Sequence, residues 1–119
     1  MERLWVGFGA IFGLTMVAMA AYAAHVPQAA TPAIGSAIQI QGFHALALVF
    51  TGLWARRGGV LAQLAGVAFV VGIVLFCGSI YQPIGPAWAR SVHIPNAAPI
   101  GGSLLMAGWL LLGLSALRR

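Results

Sequence analysis

Four windows of this chain, about 4–24, 33–55, 60–81 and 100–117, contain no aspartate, glutamate, lysine or arginine. A helix needs about 20 mainly apolar residues to cross the roughly 30 Å hydrocarbon core of a bilayer. No water is present there to bond an exposed N–H or C=O, so a window of this length has to be helical. The expected fold class is an all-α integral membrane protein, a bundle of four transmembrane helices forming a single domain over 1–119. Composition agrees. Hydrophobic residues make up 61% of the chain and charged residues 6%, too few to cover a soluble domain of this size.

The breaks between windows carry their own signals. In "HVPQAATP", Thr31 followed by Pro32 predicts an N-cap and a first helical residue. "RRGG" at 56–59 predicts a tight turn, which makes the second and third windows antiparallel neighbours. "QPIGPAWARSVHIPNAAP" holds four prolines and cannot form one straight helix. With the N-terminus inside, Arg3, Arg56, Arg57, Arg118 and Arg119 fall on the inner side and only Arg90 on the outer. The positive-inside rule then predicts a multi-pass protein of the bacterial inner membrane, both termini cytoplasmic, with outer loops at 25–32 and 82–99. Trp5 and Trp54 fall at inner-belt positions, and Tyr22, Tyr81 and Trp88 at outer ones. Trp109 falls near mid-span and reads as packing. Small-residue pairs in "MAAYAAH" resemble a signal-cleavage site, but the preceding apolar run is long for a signal peptide, so a retained helix is expected.

Helices in lipid associate through small residues that let backbones approach. Gly9 and Gly13 form a G-x-x-x-G. Ala65, Ala68, Gly72 and Ser79 share a face of the third window, and Gly101, Gly108 and Ser115 recur every seven residues in the fourth. These predict tight intramolecular packing first, and a face for self-association or other membrane subunits second.

Polar residues gather in the outer half. Gln41, His44 and Thr51 share one face of the second window, behind Gln39. His25 ends the first window, Ser79 and Tyr81 end the third, and Pro99, Gly101 and Gly102 begin the fourth. His93 lies in the outer loop, where exposure is expected. Ionisable residues in a span usually face the bundle interior and mark functional sites, but a neutral histidine can equally join two helices. Gln41 could satisfy His44 or a backbone carbonyl. No span holds a carboxylate, which argues against ion-coupled transport and carboxylate catalysis. Ser79 and Ser103 have no oriented base, so a catalytic serine has no support. Cys77 reads as a small hydrophobe. No catalytic residue and no metal site is expected. The six arginines are scattered and form no basic stripe, so nucleic acid is not an expected partner; the lipid bilayer is. Two cofactor readings stand beside the structural one: haem ligated by His25 and His44 on adjacent helices, and a quinone headgroup bonded by His44 and Gln41.

"AAYAAHV" (20–26), "IQGFHALAL" (40–48), "VGIVLFCGSIY" (71–81) and "APIGGSLLMAGWLLL" (98–112) occur in order along the chain. They resemble the G-A-F-G-A-H, Y-Q-x-F-H-x-L-A, L-F-S-G-S-L-Y and T-P-I-G-G-x-x-x-x-A-G-W segments of domain-of-unknown-function family 423, the YgdD-like small bacterial inner-membrane proteins. The resemblance implies a helical membrane protein of about four spans and no known reaction. It adds weight to His25, Gln41, His44, Ser79, Tyr81, Pro99, Gly101 and Gly102, which match motif positions. Tyr22 and Ala23 depart from the family pattern, Ile40 stands for a tyrosine and Cys77 for a serine, and the proline-rich outer loop is peculiar to this chain.

The expected function is a small non-enzymatic membrane protein, a homo-oligomer or an accessory subunit of a larger inner-membrane assembly. The alternatives are a module holding haem or quinone through His44, and a channel or carrier for a small neutral solute. The plain apolar inner half argues against a continuous aqueous path.

Overall fold

A computed structural model describes residues 2–91 and 94–117. Among them every regular element is helical: α1 (Glu2–His25), α2 (Pro32–Tyr81), α3 (Ala87–Arg90) and α4 (Ala97–Leu117), with single 3₁₀ turns at Pro27–Ala29 and Gln82–Ile84. Three of these helices, α1, α2 and α4, are long and apolar enough to cross a membrane.

The 50 residues of α2 would measure about 75 Å as one straight helix at 1.5 Å per residue. The whole molecule is only 49 Å long. The helix folds back at Gly59, whose φ of 63° and ψ of −143° break the helical run. Side chains with substituents at Cβ are strained in that region and glycine is not. The two arms, α2a (32–58) and α2b (60–81), run antiparallel. Tyr81 reaches Gln41, and the Cys77 thiol donates to the Ala37 carbonyl at 3.4 Å. Thr31 caps the start of α2a, its Oγ1 accepting from the Ile34 amide at 3.2 Å, with Pro32 as the first helical residue.

α1 and α4 each pack against this hairpin and, among the described residues, form no extensive interface with each other. Glycines set the approach. A Cβ on Gly9 would lie 2.7 Å from the Ala45 carbonyl oxygen of α2a, and one on Gly72 would lie 2.7 Å from Leu105 of α4. A Cβ on Gly101 would strike the Phe76 backbone, and one on Gly108 would lie 2.7 Å from the Phe69 ring. Gly13 makes no such contact; nothing lies within 4 Å of its would-be Cβ. The G-x-x-x-G pair therefore does not act as a unit within the chain. Gly9 is buried at α2a, while Gly13, only about 40° round the helix at 100° per residue, meets no atom that a Cβ would touch.

The Glu2 carboxylate accepts from Arg56 at 3.0 Å, and Trp54 reaches Ser115. The start of α1, the α2 turn and the end of α4 thus share one end of the molecule. Arg3, Arg56 and Arg57 gather there; Arg118 and Arg119 lie outside the described residues. The opposite end holds His25, Tyr81, α3 and the start of α4.

Candidate functional site

The α2a arm turns its apolar Phe43, Leu46, Phe50 and Leu53 outward and buries Gln41, His44 and Thr51. This is an inverted helix: hydrocarbon faces the lipid, and polar groups face the neighbours that can bond them. Gln41 is 4% exposed and is bonded on both sides of its amide. Its Nε2 donates to the Phe12 carbonyl at 2.9 Å and to Thr15 Oγ1 at 2.7 Å, both on α1. Its Oε1 accepts from the Tyr81 hydroxyl of α2b at 2.8 Å. One primary amide therefore joins three helical arms.

His44 is bonded to the other side of the bundle. Its Nδ1 lies 2.6 Å from the Ile40 carbonyl oxygen, and Trp109 Nε1 of α4 lies 2.8 Å from its Nε2. A carbonyl only accepts and an indole N–H only donates. The proton must sit on Nδ1, and Nε2 must offer its lone pair. Phe69 completes an aromatic trio. Its ring centroid is 5.6 Å from that of His44 and 5.4 Å from that of Trp109, with steep interplanar angles of 62° and 70°. Such edge-to-face geometry is the favoured one for aromatic pairs.

Two further bonds close the arginine-rich end. Trp5 Nε1 donates to Gln63 Oε1 at 2.7 Å, tying α1 to α2b. Trp54 Nε1 donates to Ser115 Oγ at 3.0 Å, tying α2a to α4. Thr51 donates within its own helix to the Ala47 carbonyl. Among the described residues, no buried side-chain nitrogen or oxygen lacks a partner.

The residues singled out from sequence are not one cluster. Gln41 and Tyr81 are joined, while His44 belongs to a separate contact with α4. The bond between Gln41 and His44 is not formed, because each is already committed to a different helix. Ser79 donates back to the Phe76 carbonyl of its own turn at 2.8 Å. Gly101 is a close-packing point, Gly102 lies over the Phe76 ring, and Pro99 occupies the exposed first turn of α4. Gln39 and His25 are exposed, and His93 lies outside the described residues.

The axial histidine pair expected for haem does not form. Gly9 lies against Ala45 and Val49, Gly42 against Met16, and Gly52 against Val6, so His44 is level with residue 13 of α1. His25 is twelve residues further along α1, about 18 Å at 1.5 Å per residue. The two imidazoles cannot face one iron. The His44 nitrogen that could coordinate a metal is also the one that accepts from Trp109.

The tryptophans carry roles that sequence reading missed. Trp5 was expected at a lipid-facing belt but is 3% exposed, with the Gly66 backbone leaving room for its indole. Tyr81, also read as a belt residue, spends its hydroxyl on Gln41. Trp109, read as packing, is the partner of His44. Thr15 and Gln63, which belong to no motif, are the partners of Gln41 and Trp5. The available signal was chemical: an indole N–H in an apolar span needs an acceptor, and Gln63, Ser115 and His44 were the acceptors present.

Comparison with known proteins gives a consistent result. The family model described as protein of unknown function (DUF423) matches residues 19–102. That stretch holds Gln41, His44 and Tyr81 and stops short of Trp109. The chain is 33% identical to the UPF0382 inner membrane protein YgdD of Escherichia coli K12, covering 98% of this chain and 92% of that protein. It is 32% identical to a UPF0382 membrane protein of Haemophilus influenzae, covering 94% and 92%. It is 28% identical to a UPF0382 membrane protein of Staphylococcus haemolyticus, covering 98% and 97%. No solved structure matches.

Proposed function

Because this chain belongs to the DUF423 family of membrane proteins, we propose that it is a small non-enzymatic scaffold of the bacterial inner membrane, crossing four times with both termini in the cytoplasm. It acts by associating with copies of itself or with other membrane subunits. The observation that carries this reading is the use made of the polar side chains. Gln41, His44, Tyr81, Trp5, Trp54, Gln63 and Ser115 are all spent on joining one helix to another. A site built to bind and transform a substrate aims polar groups at a cavity instead.

The arginine-rich end supports the orientation by the positive-inside rule. The outer face of α1 supports association. Gly7, Ala10, Leu14, Ala18 and Ala21 recur at helical spacing, and all are exposed. A face of this kind lets another helix approach closely in lipid, where contact rather than hydrophobicity drives packing.

The test is the mass of the protein transferred directly from native membranes into lipid discs. Dimers, higher oligomers or reproducible partner subunits are expected, and Ala10→Leu with Ala18→Leu should reduce them. A lone monomer across a range of lipid-to-protein ratios would end the association reading.

A further inference from the structure

A groove of about 1340 Å³ opens on the side of α2b between the end of α1 and the start of α4, away from the arginine-rich end. Met19 and Tyr22 form one wall, Ala98 and Pro99 the other, and Val74 and Gly78 lie along the floor. Its contact with α2b begins at Val74 and ends at Tyr81, a rise of about 10 Å at 1.5 Å per residue. The groove is therefore limited to one leaflet. A transmembrane helix of another protein would need a surface running the full depth of the bilayer, whereas a lipid tail needs one leaflet only.

An unmatched charge lies next to the residues at the mouth of the groove. Trp88 and Ala89 of α3 line it, Trp88 being 74% exposed, and Arg90 follows at once in the same short helix. Gln82 Nε2 bonds the Ala89 and Arg90 carbonyls, fastening this turn to the end of α2b. The chain's single acidic side chain, Glu2, is at the opposite end against Arg56. No carboxylate side chain of this protein can neutralise Arg90. An exposed tryptophan beside an arginine is the pattern of the headgroup layer, where anionic lipid is the available counter-charge.

We propose that this groove holds one anionic phospholipid, its phosphate at Arg90 and an acyl chain along Gly78 and Val74. The four-span reading above supplies only the choice of the outer leaflet; the binding itself does not depend on it.

The test is native mass spectrometry of the protein purified in mild detergent and titrated with phosphatidylglycerol or phosphatidylcholine of matched chains. A single tight phosphatidylglycerol adduct is expected, preferred about fivefold, the ratio that corresponds to about 1 kcal/mol per arginine near a lipid phosphate. Arg90→Gln should bring the ratio to about one while leaving chain occupancy. Gly78→Phe should weaken both lipids severalfold, because nothing lies within 4 Å of a Cβ at Gly78 and the ring would project from the floor into the path of the acyl chain. Circular dichroism and thermal unfolding check that both variants fold. Equal retention of the two lipids by the unchanged protein, or retention unaffected by Gly78→Phe in a folded variant, overturns the proposal. A second copy or another protein protecting Trp88 and Gly78 in place of lipid overturns it as well. Oligomeric state is read in the same spectra, so loss of the scaffold reading and loss of the lipid site are seen separately.

Discussion

Trp109 donates its indole N–H to Nε2 of His44 across 2.8 Å, and no other hydrogen-bond direction is open to that pair. The contact fixes the tautomer of His44 and fastens α4 to α2a half-way along both. Trp109→Phe should keep an aromatic ring beside Phe69 while losing the bond and part of the indole's contact area. A loss of about 0.6 kcal/mol or somewhat more is expected, the average for side-chain hydrogen bonds between helices in lipid, with about 1.7 kcal/mol the largest. His44→Ala should cost more, since the ring contacts with Phe69 go too. Reversible unfolding in mixed micelles measures both. The double variant should fall short of the sum of the singles, because the bond can be lost only once.

Gln41 and Tyr81 form the other junction. Tyr81→Phe removes one donor and leaves Gln41 Oε1 buried without a partner, at a cost of about 1–3 kcal/mol. Gln41→Leu removes all three hydrogen bonds and leaves the Tyr81 hydroxyl without its acceptor, so it should cost at least as much as Tyr81→Phe. The informative readout is Tyr81→Phe in the Gln41→Leu background, where its cost should nearly vanish. An undiminished cost there would mean that the hydroxyl matters for another reason.

Glycine scanning should divide the glycines sharply. Gly101→Ala pushes a methyl group into the Phe76 backbone, and Gly9→Ala one onto the Ala45 carbonyl, so each should lose about 1–3 kcal/mol. Gly13→Ala and Gly78→Ala meet nothing within 4 Å and should stay within about 0.5 kcal/mol of the unchanged protein. Gly59→Ala tests the reversal by itself. It places a side chain at φ 63°, ψ −143°, where about 1–3 kcal/mol of backbone strain is expected.

Topology has its own test. A reporter active only in the cytoplasm should work when fused after residue 117. A reporter active only in the periplasm should work when inserted between 26 and 31. Arg56→Ala should not change stability beyond about 0.5 kcal/mol, because its pair with Glu2 is solvent-exposed. Converting Arg56 and Arg57 together to Ala should weaken the orientation bias, read as mixed reporter activity.

Charge-free windows made the helices legible, and the Arg-Arg-Gly-Gly turn made the α2 hairpin legible, because lipid leaves the backbone few options. α4 starts at Ala97, three residues ahead of the apolar window, because a proline is tolerated in a first turn and Ala97 and Ala98 can precede Pro99 there. Side-chain partners were harder. Gln41 and His44 were visible as polar groups needing acceptors or donors, but periodicity on one helix says nothing about rotation of its neighbour. That rotation brings Phe12 and Thr15 to Gln41 and Trp109 to His44. It also leaves Gly13 without the close backbone contact that Gly9 makes, a distinction that no spacing rule contains.

Among the described residues, α1 and α4 each pack on α2 and share no extensive interface with each other. The fold is therefore two half-sandwiches sharing one slice. A lesion at the α1 seam, such as Gly9→Ala, presses on Ala45 and Val49, and one at the α4 seam, such as Gly108→Ala, presses on Phe69, so the two strain different side chains. Their costs should add. Evolution, or an engineer, can rebuild one outer helix for a new neighbour in the membrane without renegotiating the other.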